Sequence, residues 1–211
     1  MSKKGVLTVI SGFSGAGKGT LMRELIHKHP YFLSISATTR KPRTGEVNGV
    51  DYFFHTREEF EEMIQNNELI EWAEYVGNYY GTPRKAVEQQ LAEGKDVILE
   101  IETQGGMLVK KQFPDAVLIF ITPPSAEELK RRLINRGTES KEQIAGRLSQ
   151  AANEVSFMKD YDFIVVNDLV DRTVEQIHTM IANEHNHTNR CSDLIQALEK
   201  DLNQFSNGDY K

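Results

Sequence analysis

The feature that most constrains the fold is a glycine-rich loop between a short apolar segment and a helical pattern. The apolar segment, Val6–Ile10, is rich in β-branched residues and ends at the loop, which is typical of a buried strand. After the loop, Leu21 and Leu25 recur at helical spacing until Pro30. A strand, a glycine loop and a helix in this order indicate an α/β protein with an anion site at the loop.

The loop has the spacing that phosphate binding needs. Gly12, four further residues, Gly17 and Lys18 match the Walker A pattern up to its last position, where Gly19 replaces the usual Ser or Thr. Glycines let consecutive backbone N–H groups converge on one anion, and the following helix adds the positive end of its dipole. The motif alone does not separate a kinase from a GTPase or an ATPase. The predicted phosphate-binding residues are Gly12, Phe13, Ser14, Gly15, Ala16, Gly17, Lys18, Gly19 and Thr20.

Three further apolar runs have the length and composition of buried strands, at residues 96–101, 116–121 and 163–166. Predicted helices separate these strands. Capping boxes at Ser125 and Ser140 each indicate the start of one helix, and the helix that starts at Ser140 is expected to reach about Met158. Apolar strands that alternate with helices favour a parallel sheet covered on both faces. We therefore predict an α/β fold of the P-loop NTPase type, with another helix over residues 193–202.

Residues 36–91 interrupt this alternation with a polar and aromatic stretch. The stretch contains a helix that starts near Thr56, and it indicates a small mixed insertion, partly antiparallel, between two strands of the main sheet. The core of the insertion is expected to contain Phe53, Phe54, Met63 and Trp72. The predicted division is a core of residues 1–35, 93–125 and 160–211, an insertion of residues 36–92, and a helical lid of residues 126–159.

Composition excludes several classes of protein. The length of 211 residues suits one domain with insertions. Lys and Arg total 25 against 31 Asp and Glu, so the net charge of −6 argues against a general nucleic-acid or membrane-surface binder. The single cysteine, Cys191, excludes an intramolecular disulfide and a cysteine-based zinc cluster. Because no apolar run resembles a signal-peptide core or a membrane span, we expect a cytoplasmic protein.

The insertion carries arginines and tyrosines that suit a phosphate group. Arg40 and Arg43 lie three positions apart, and Tyr52 and Tyr80 follow in the same insertion. Arginine binds phosphate through bidentate contacts, and tyrosine adds a hydroxyl donor. Two loop arginines alone are as consistent with solvated charges, but the tyrosines favour a cup for one phosphate.

Taken together, these motifs resemble the guanylate kinase family. The matching segments are the phosphate loop, residues 36–52, 71–82 and 136–139, and the strand ending in Glu100-Ile101-Glu102, so the resemblance covers roughly residues 5–185. It implies that the phosphate of GMP is held by Arg40, Arg43, Tyr52 and Tyr80. It implies that guanine is read by Ser36, Glu71, Thr82 and Glu102. Glu102 stands where the family usually has an aspartate.

The chemistry of guanine agrees with these four base-reading residues. Guanine presents N1–H and N2–H₂ as donors and O6 as an acceptor, which suits two carboxylates and two hydroxyls. Adenine presents an acceptor at N1 and a donor at position 6, so the same groups would face the wrong partners. Sites built on buried hydrogen bonds reject such mismatches by ~10⁴ or more.

The segment after residue 128 supplies arginines to the donor side. Arg132 and Arg136 are four positions apart on one helix face, and Arg147 follows in the next helix. Arginines on a closing segment neutralise the charge that gathers during phosphoryl transfer and exclude water. By resemblance, the ATP site includes Arg132, Arg136 and Asn167. The implied catalytic residues are Lys18, Arg43, Arg136 and Arg147.

Magnesium is expected to enter with ATP. Glu100 ends a predicted strand as a Walker B carboxylate does, and strand periodicity places it on one face with Glu102. We predict that Thr20 and Glu100 contact Mg²⁺ through water. A strand-end carboxylate paired with a lysine is the alternative for Glu100, and a helix-capping turn is the alternative for Asn167.

The sequence therefore predicts an ATP-dependent kinase of GMP, and by resemblance of dGMP, in guanine nucleotide metabolism and GMP recycling. A kinase of another monophosphate is the nearest alternative, and Glu71 and Glu102 argue against adenine. A second alternative is a GMP-sensing or protein-binding module without turnover, and the presence of Lys18 and Arg43 argues against it. A GTPase would normally carry Asn-Lys-x-Asp, which the sequence lacks. The expected partners are ATP and GMP or dGMP, without nucleic acid or membrane, and a homodimer is left open.

Overall fold

The computed structural model describes residues 4–75, 77–135, 137 and 140–206. Its strands are β1 (Leu7–Gly12), β2 (Phe32–Leu33), β3 (Ala37–Thr38), β4 (Phe53–Phe54), β5 (Leu69–Tyr75), β6 (Asn78–Pro83), β7 (Val97–Glu100), β8 (Val117–Thr122) and β9 (Phe163–Val166). Its α-helices are α1 (Lys18–Lys28), α2 (Arg57–Gln65), α3 (Arg84–Ala92), α4 (Thr103–Gln112), α5 (Ala126–Asn135), α6 (Lys141–Glu154), α7 (Val170–Glu184) and α8 (Ser192–Ser206). Short 3₁₀ helices cover Val155–Asp160 and Thr188–Arg190.

The main sheet is parallel and has the strand order β2-β7-β1-β8-β9. Strand β1 lies at its centre, with Val9 paired to Leu99 on one side and to Leu118 on the other. Successive residues of a strand face opposite sides, and every residue from Leu7 to Ser11 is buried. Both faces of the sheet are therefore covered, which confirms the predicted α/β fold with a parallel sheet between helices.

The second sheet is mixed and has the order β4-β3-β6-β5. Strand β3 pairs in parallel with β4 and antiparallel with β6, and β5 and β6 are antiparallel. A small cluster of Ala37, Phe60 and Leu69 packs beneath it, with Met63 against the cluster as predicted. Helix α3 follows this sheet in the chain, yet its Val87 and Leu91 belong to the main core.

The prediction that Phe53 and Trp72 lie in the core of the insertion was wrong. Phe53 is 37% exposed and Trp72 is 41% exposed. Leu69, Ile70 and Glu71 are all buried and the register with β6 shifts between Leu69 and Trp72, so β5 does not alternate regularly and Trp72 emerges on the exposed side. Trp72 instead meets the ring of Tyr79 edge-on, with 5.5 Å between the ring centroids.

Capping interactions begin three of the helices where the sequence indicates. The Ser140 hydroxyl accepts from the N–H of Gln143, whose side chain accepts from the Ser140 N–H. A reciprocal capping box also opens α2 at Thr56. At α5 the Ser125 hydroxyl accepts from the Glu128 N–H at 3.1 Å, while the Glu128 carboxylate binds arginines of its own helix.

Two predicted segments end earlier than expected. Helix α6 stops at Glu154 and tightens into the 3₁₀ helix Val155–Asp160 instead of running on to Met158. Strand β7 ends at Glu100, and Glu102 is the N-cap residue of α4. The prediction that Glu100 and Glu102 share a strand face was therefore wrong, because the chain has already left the sheet at Glu102.

The carboxyl-terminal tail forms the predicted helix as α8, from Ser192 to Ser206. In the described part of the chain, no helix combines the length and the apolar character that crossing a membrane requires. The limits of the insertion at residues 36–92 and of the lid at 126–159 stay predictions.

Candidate nucleotide-binding site

The phosphate loop joins the carboxyl end of β1 to the first turn of α1. Its backbone has positive φ at Gly12 (149°), Gly15 (95°) and Gly17 (92°), a conformation that side chains disfavour. The loop is closed by the Ala16 N–H, which donates to the Phe13 carbonyl at 3.0 Å. Because α1 begins at Lys18, the positive end of its dipole lies at this loop, which favours an anion there.

The Lys18 side chain lies across the loop that it follows. Its Nζ donates to the carbonyl oxygens of Gly12 at 2.6 Å and Phe13 at 3.2 Å. These contacts hold the ammonium at the mouth of the loop, where anionic oxygens can replace the carbonyls as acceptors. The geometry agrees with the phosphate-binding role that the spacing predicts.

Two of the residues assigned to the ATP site brace the phosphate loop from outside. The Asn167 side-chain amide donates to the Ala16 carbonyl at 2.8 Å. Arg132 donates to the same carbonyl at 3.3 Å and to the Asn167 carbonyl at 2.9 Å. A Cβ on Gly17 would lie 2.6 Å from the Asn167 amide nitrogen, so only glycine permits this contact. Both residues therefore position the loop backbone.

Arg147 connects the lid region to the phosphate loop. Its guanidinium donates to the Ser14 hydroxyl from helix α6, 133 positions along the chain. The sequence analysis assigns Arg147 to the ATP side of the site, and in the structure it contacts the phosphate loop on that side. Arg136, the other lid arginine assigned to catalysis, lies outside the described residues.

On the acceptor side, Arg40 forms a bidentate ion pair with Glu46. Both terminal nitrogens of Arg40 donate to the carboxylate at 2.9 Å, and the Arg43 N–H donates to it at 2.7 Å. These hydrogen bonds lower the pKa of Glu46 to about 2, and those from the Arg40 side chain have the largest effect. Arg43 itself has an exposed side chain. Sequence reasoning missed Glu46, although an acid six positions after an arginine across a Thr-Gly turn is a usable signal.

Tyr52 and Tyr80 stand beside this ion pair. Their rings are 6.1 Å apart, and the Arg40 guanidinium lies 5.3 Å from the centroid of the Tyr52 ring. Burial raises the pKa of the Tyr52 phenol, with smaller effects from Tyr80, Arg40 and Glu100. The structure thus gathers Arg40 and both tyrosines in one place, as the predicted phosphate cup requires.

Glu71 and Thr82 form a buried pair on adjacent strands β5 and β6. The Thr82 hydroxyl donates to the Glu71 carboxylate at 2.6 Å. Thr82 is 1% exposed and Glu71 is 7% exposed. Burial raises the pKa of Glu71, while the Thr82 hydrogen bonds act in the opposite direction. Ser36 lies just before β3, and its backbone carbonyl accepts a hydrogen bond from the Phe53 N–H at 2.9 Å.

Helix α4 brings a glycine against the Glu71 carboxylate. A Cβ on Gly105 would lie 2.8 Å from Oε2 of Glu71, so this close approach requires glycine. Glu102 begins the same helix. Sequence reasoning missed Gly105, because its role depends on α4 packing against β5 rather than on any motif.

Glu100, the last residue of β7, lies beside the phosphate loop. It lines a cleft of about 500 Å³ with Lys18, Thr20, Arg23 and the loop glycines. Burial raises the pKa of Glu100, and the charge of Lys18 lowers it. The same carboxylate contributes to raising the pKa of Tyr52. Arg23, on the first helix, is a cleft residue that sequence reasoning missed.

A glycine loop at the carboxyl end of a central parallel strand, with a second, mixed sheet inserted in the same chain, is the arrangement of a P-loop protein that binds nucleotide phosphates. Comparison with known sequences specifies which kind. The family model described as guanylate kinase matches residues 4–184. The chain belongs to the guanylate kinase family.

Individual relatives agree along nearly the whole chain. A guanylate kinase of Bacillus cereus (strain ZK / E33L) is 53% identical over 203 residues, which cover 95% of this chain and 99% of the relative. One of Lactococcus lactis subsp. lactis is 52% identical over 191 residues, covering 90% and 93%. The crystal structure of guanylate kinase from Anaplasma phagocytophilum superposes with a TM-score of 0.78 at 36% identity, covering 94% of this chain and 95% of the other.

Proposed function

We propose that this protein transfers the γ-phosphoryl group of ATP to GMP, giving ADP and GDP. The observation that carries the choice of base is the buried Glu71 carboxylate, fixed by Thr82 at 2.6 Å. An ionised carboxylate only accepts hydrogen bonds, so it suits the N1–H and N2–H₂ donors of guanine. Adenine, with an acceptor at N1, would set a lone pair against the carboxylate and leave the Thr82 hydroxyl as its hydrogen-bond donor.

The phosphates are proposed to meet in the cleft beside Glu100. The loop amides and Lys18 bind the phosphates of ATP, and the tyrosines with Arg40 and Arg43 bind that of GMP. Arg147 and Arg136 are proposed to neutralise the charge on the transferred group. In this scheme Glu46 is a positioning residue, since it fixes the Arg40 guanidinium and the Arg43 backbone.

We expect dGMP to be a substrate as well. Every acceptor contact proposed above is to the base or to the phosphate, so the 2′-hydroxyl carries none of them. Such an enzyme would act in guanine nucleotide metabolism and GMP recycling.

The residues at the cleft suit Mg²⁺ arriving with ATP. Mg²⁺ prefers oxygen ligands and is usually held by one or two carboxylates with substrate phosphates. The Glu100 carboxylate and Thr20 line the same cleft as Lys18. Among the described residues no group of three or more His, Cys, Asp or Glu could hold a metal, so the phosphates would supply the remaining oxygens. When bound, the ion neutralises phosphate charge.

Two further expectations from the sequence stay proposals. The single cysteine and acidic composition suit a cytoplasmic protein. Sedimentation analysis would test whether the protein forms a homodimer.

An assay of ADP release with GMP, dGMP, AMP, UMP and CMP as acceptors tests the proposal. We expect turnover with GMP and dGMP that stops when EDTA removes Mg²⁺, and little with the other three. Turnover with AMP at a rate comparable to that with GMP would refute the base assignment. GMP binding by calorimetry without any ADP release would instead identify a sensing module.

A further inference from the structure

Strand β5 contains a β-bulge at the place where it carries Glu71. Leu69 pairs with Pro83 of strand β6. Three residues later, Trp72 pairs with Gly81, which is only two positions from Pro83, so β5 has one extra residue over this stretch. A bulge re-aims a side chain and leaves backbone groups outside the hydrogen-bonded ladder. The direction of the Glu71 side chain therefore depends on what fixes the backbone of this bulge.

The bulge lies where the two hydrophobic clusters of the protein meet. The Leu69 side chain belongs to the small cluster beneath the second sheet, whereas the Ile70 side chain belongs to the main core. Glu71 follows directly, and its N–H shares one planar peptide group with the Ile70 carbonyl. A contact that orients the Ile70 carbonyl therefore also orients the start of Glu71.

Two side chains from helices outside the second sheet hold the backbone of the bulge. The Gln112 amide, at the end of α4, donates to the Ile70 carbonyl. Arg84, at the start of α3, donates to the Leu69 carbonyl at 3.0 Å and to the Asn67 carbonyl at 3.1 Å. The same guanidinium donates to the side-chain oxygen of Gln112 at 2.8 Å. Arg84 and Gln112 thus form one connected unit, the Arg84–Gln112 clamp.

Helix α4 reaches the neighbourhood of Glu71 at two places. In its first turn, Gly105 lies so close that a Cβ there would be 2.8 Å from Oε2 of Glu71. Gln112 follows seven positions later, about two helical turns, and so lies on the same face of α4 as Gly105. Glu102 is the N-cap residue of this helix. One helix therefore carries one of the carboxylates assigned to guanine and holds the strand that carries the other.

We propose that Arg84 and Gln112 are positioning residues for guanine recognition, which fix the bulge of β5 and thereby direct the Glu71 carboxylate at the base. The inference rests on the proposed function, in which Glu71 accepts hydrogen bonds from guanine. It adds to that function two residues, on α3 and α4, that act through Glu71. Without the clamp the Ile70 and Leu69 carbonyls must find other donors, and the peptide that carries Glu71 turns with them.

Steady-state kinetics of Gln112 variants test this role. Gln112→Leu removes both hydrogen bonds of the amide at similar size, and we expect the KM for GMP to rise about fivefold, the typical worth of one hydrogen bond, with the KM for ATP unchanged. Gln112→Glu can still accept from Arg84 but has no donor for the Ile70 carbonyl, so it should show the same rise. An unchanged KM for GMP in both variants would overturn the proposal. Gln89→Leu is the matched control, because Gln89 is an exposed glutamine of α3 whose amide donates to Glu93 at 2.9 Å, and it should alter neither KM.

A purely structural role for the clamp predicts a different pattern. Gln112 is exposed, so its replacement should leave the melting temperature nearly unchanged while the KM for GMP rises. Arg84→Ala breaks the clamp from the other side and should raise the KM for GMP by a similar factor, and it carries the test if Gln112→Leu fails to fold. A lowered melting temperature with an unchanged KM for GMP would mean that the clamp only stabilises the fold, and would overturn the proposal.

A double-mutant cycle with Glu71→Gln tests whether the clamp acts through Glu71. If it does, Gln112→Leu adds little to the KM for GMP in the Glu71→Gln background, whereas additive effects overturn the proposal. A wild-type protein inactive on GMP would refute the proposed function itself. That result is distinguishable from an active wild type whose clamp variants use GMP normally, which would refute the role of the clamp alone.

Discussion

Replacing Thr82 by valine removes one hydroxyl and almost no volume from the buried Glu71–Thr82 pair. The hydroxyl donates to Glu71 over 2.6 Å, and both residues are buried. A hydrogen bond to a charged group contributes about 1.5–3 kcal/mol, and about 1.4 kcal/mol corresponds to a factor of ten. If Glu71 reads guanine, we expect kcat/KM for GMP to fall about tenfold or more, while the KM for ATP stays unchanged.

The pH dependence of the same variant gives a second readout. Burial already raises the pKa of Glu71, and Thr82 opposes that effect. Guanine needs the ionised carboxylate, so GMP use weakens as the pH falls through the pKa of Glu71. Without the Thr82 hydroxyl this pKa rises further, and the loss of GMP use should begin at a higher pH in Thr82→Val than in the wild type.

Steady-state kinetics across a pH series, varying GMP at saturating ATP, measures both effects. Thr173→Val is the matched control, because Thr173 is fully buried and its hydroxyl donates to the Leu169 carbonyl at 2.9 Å on helix α7. That variant should lose some thermal stability and keep the pH profile for GMP. A Thr82→Val enzyme with wild-type kcat/KM and an unshifted profile would refute the role of the pair.

Three other substitutions test separate parts of the site. Lys18→Ala should abolish transfer and leave the melting curve by circular dichroism unchanged, since the ammonium contacts loop carbonyls rather than core; activity within tenfold of wild type would contradict the phosphate role. Gly105→Ala should raise the KM for GMP selectively, because the added Cβ would displace the Glu71 carboxylate; an equal rise for ATP would point to general disorder of the fold. Asn167→Ala removes the amide that holds the Ala16 carbonyl and should weaken ATP binding by calorimetry several-fold, and unchanged ATP affinity would show that the loop needs no such brace.

The sequence predicts well those parts of the fold that local chemistry decides. The β-branched run before Gly12 and the glycine spacing up to Lys18 specify the strand, the loop and the start of α1, and all three are present. Ser140 and Gln143 form the predicted capping box for the same reason, since both partners lie within one turn. Long-range packing is different. The burial of Glu71 and the exposure of Trp72 depend on how β5 packs across its register shift with β6, whereas hydrophobicity alone placed Trp72 in the core.

Arg40 shows why choosing a residue from the sequence does not fix its role. The sequence gives Arg40 and Arg43 one task because both are arginines in one short segment. In the fold they differ, because Glu46 takes both terminal nitrogens of Arg40 and only the backbone N–H of Arg43. The pair forms across a turn that includes Gly45 at a φ of 91°, which returns the chain toward Arg40. Arg40 can therefore meet a phosphate only where Glu46 holds it or by giving up that pair, a constraint that follows from the turn and not from the spacing of the arginines.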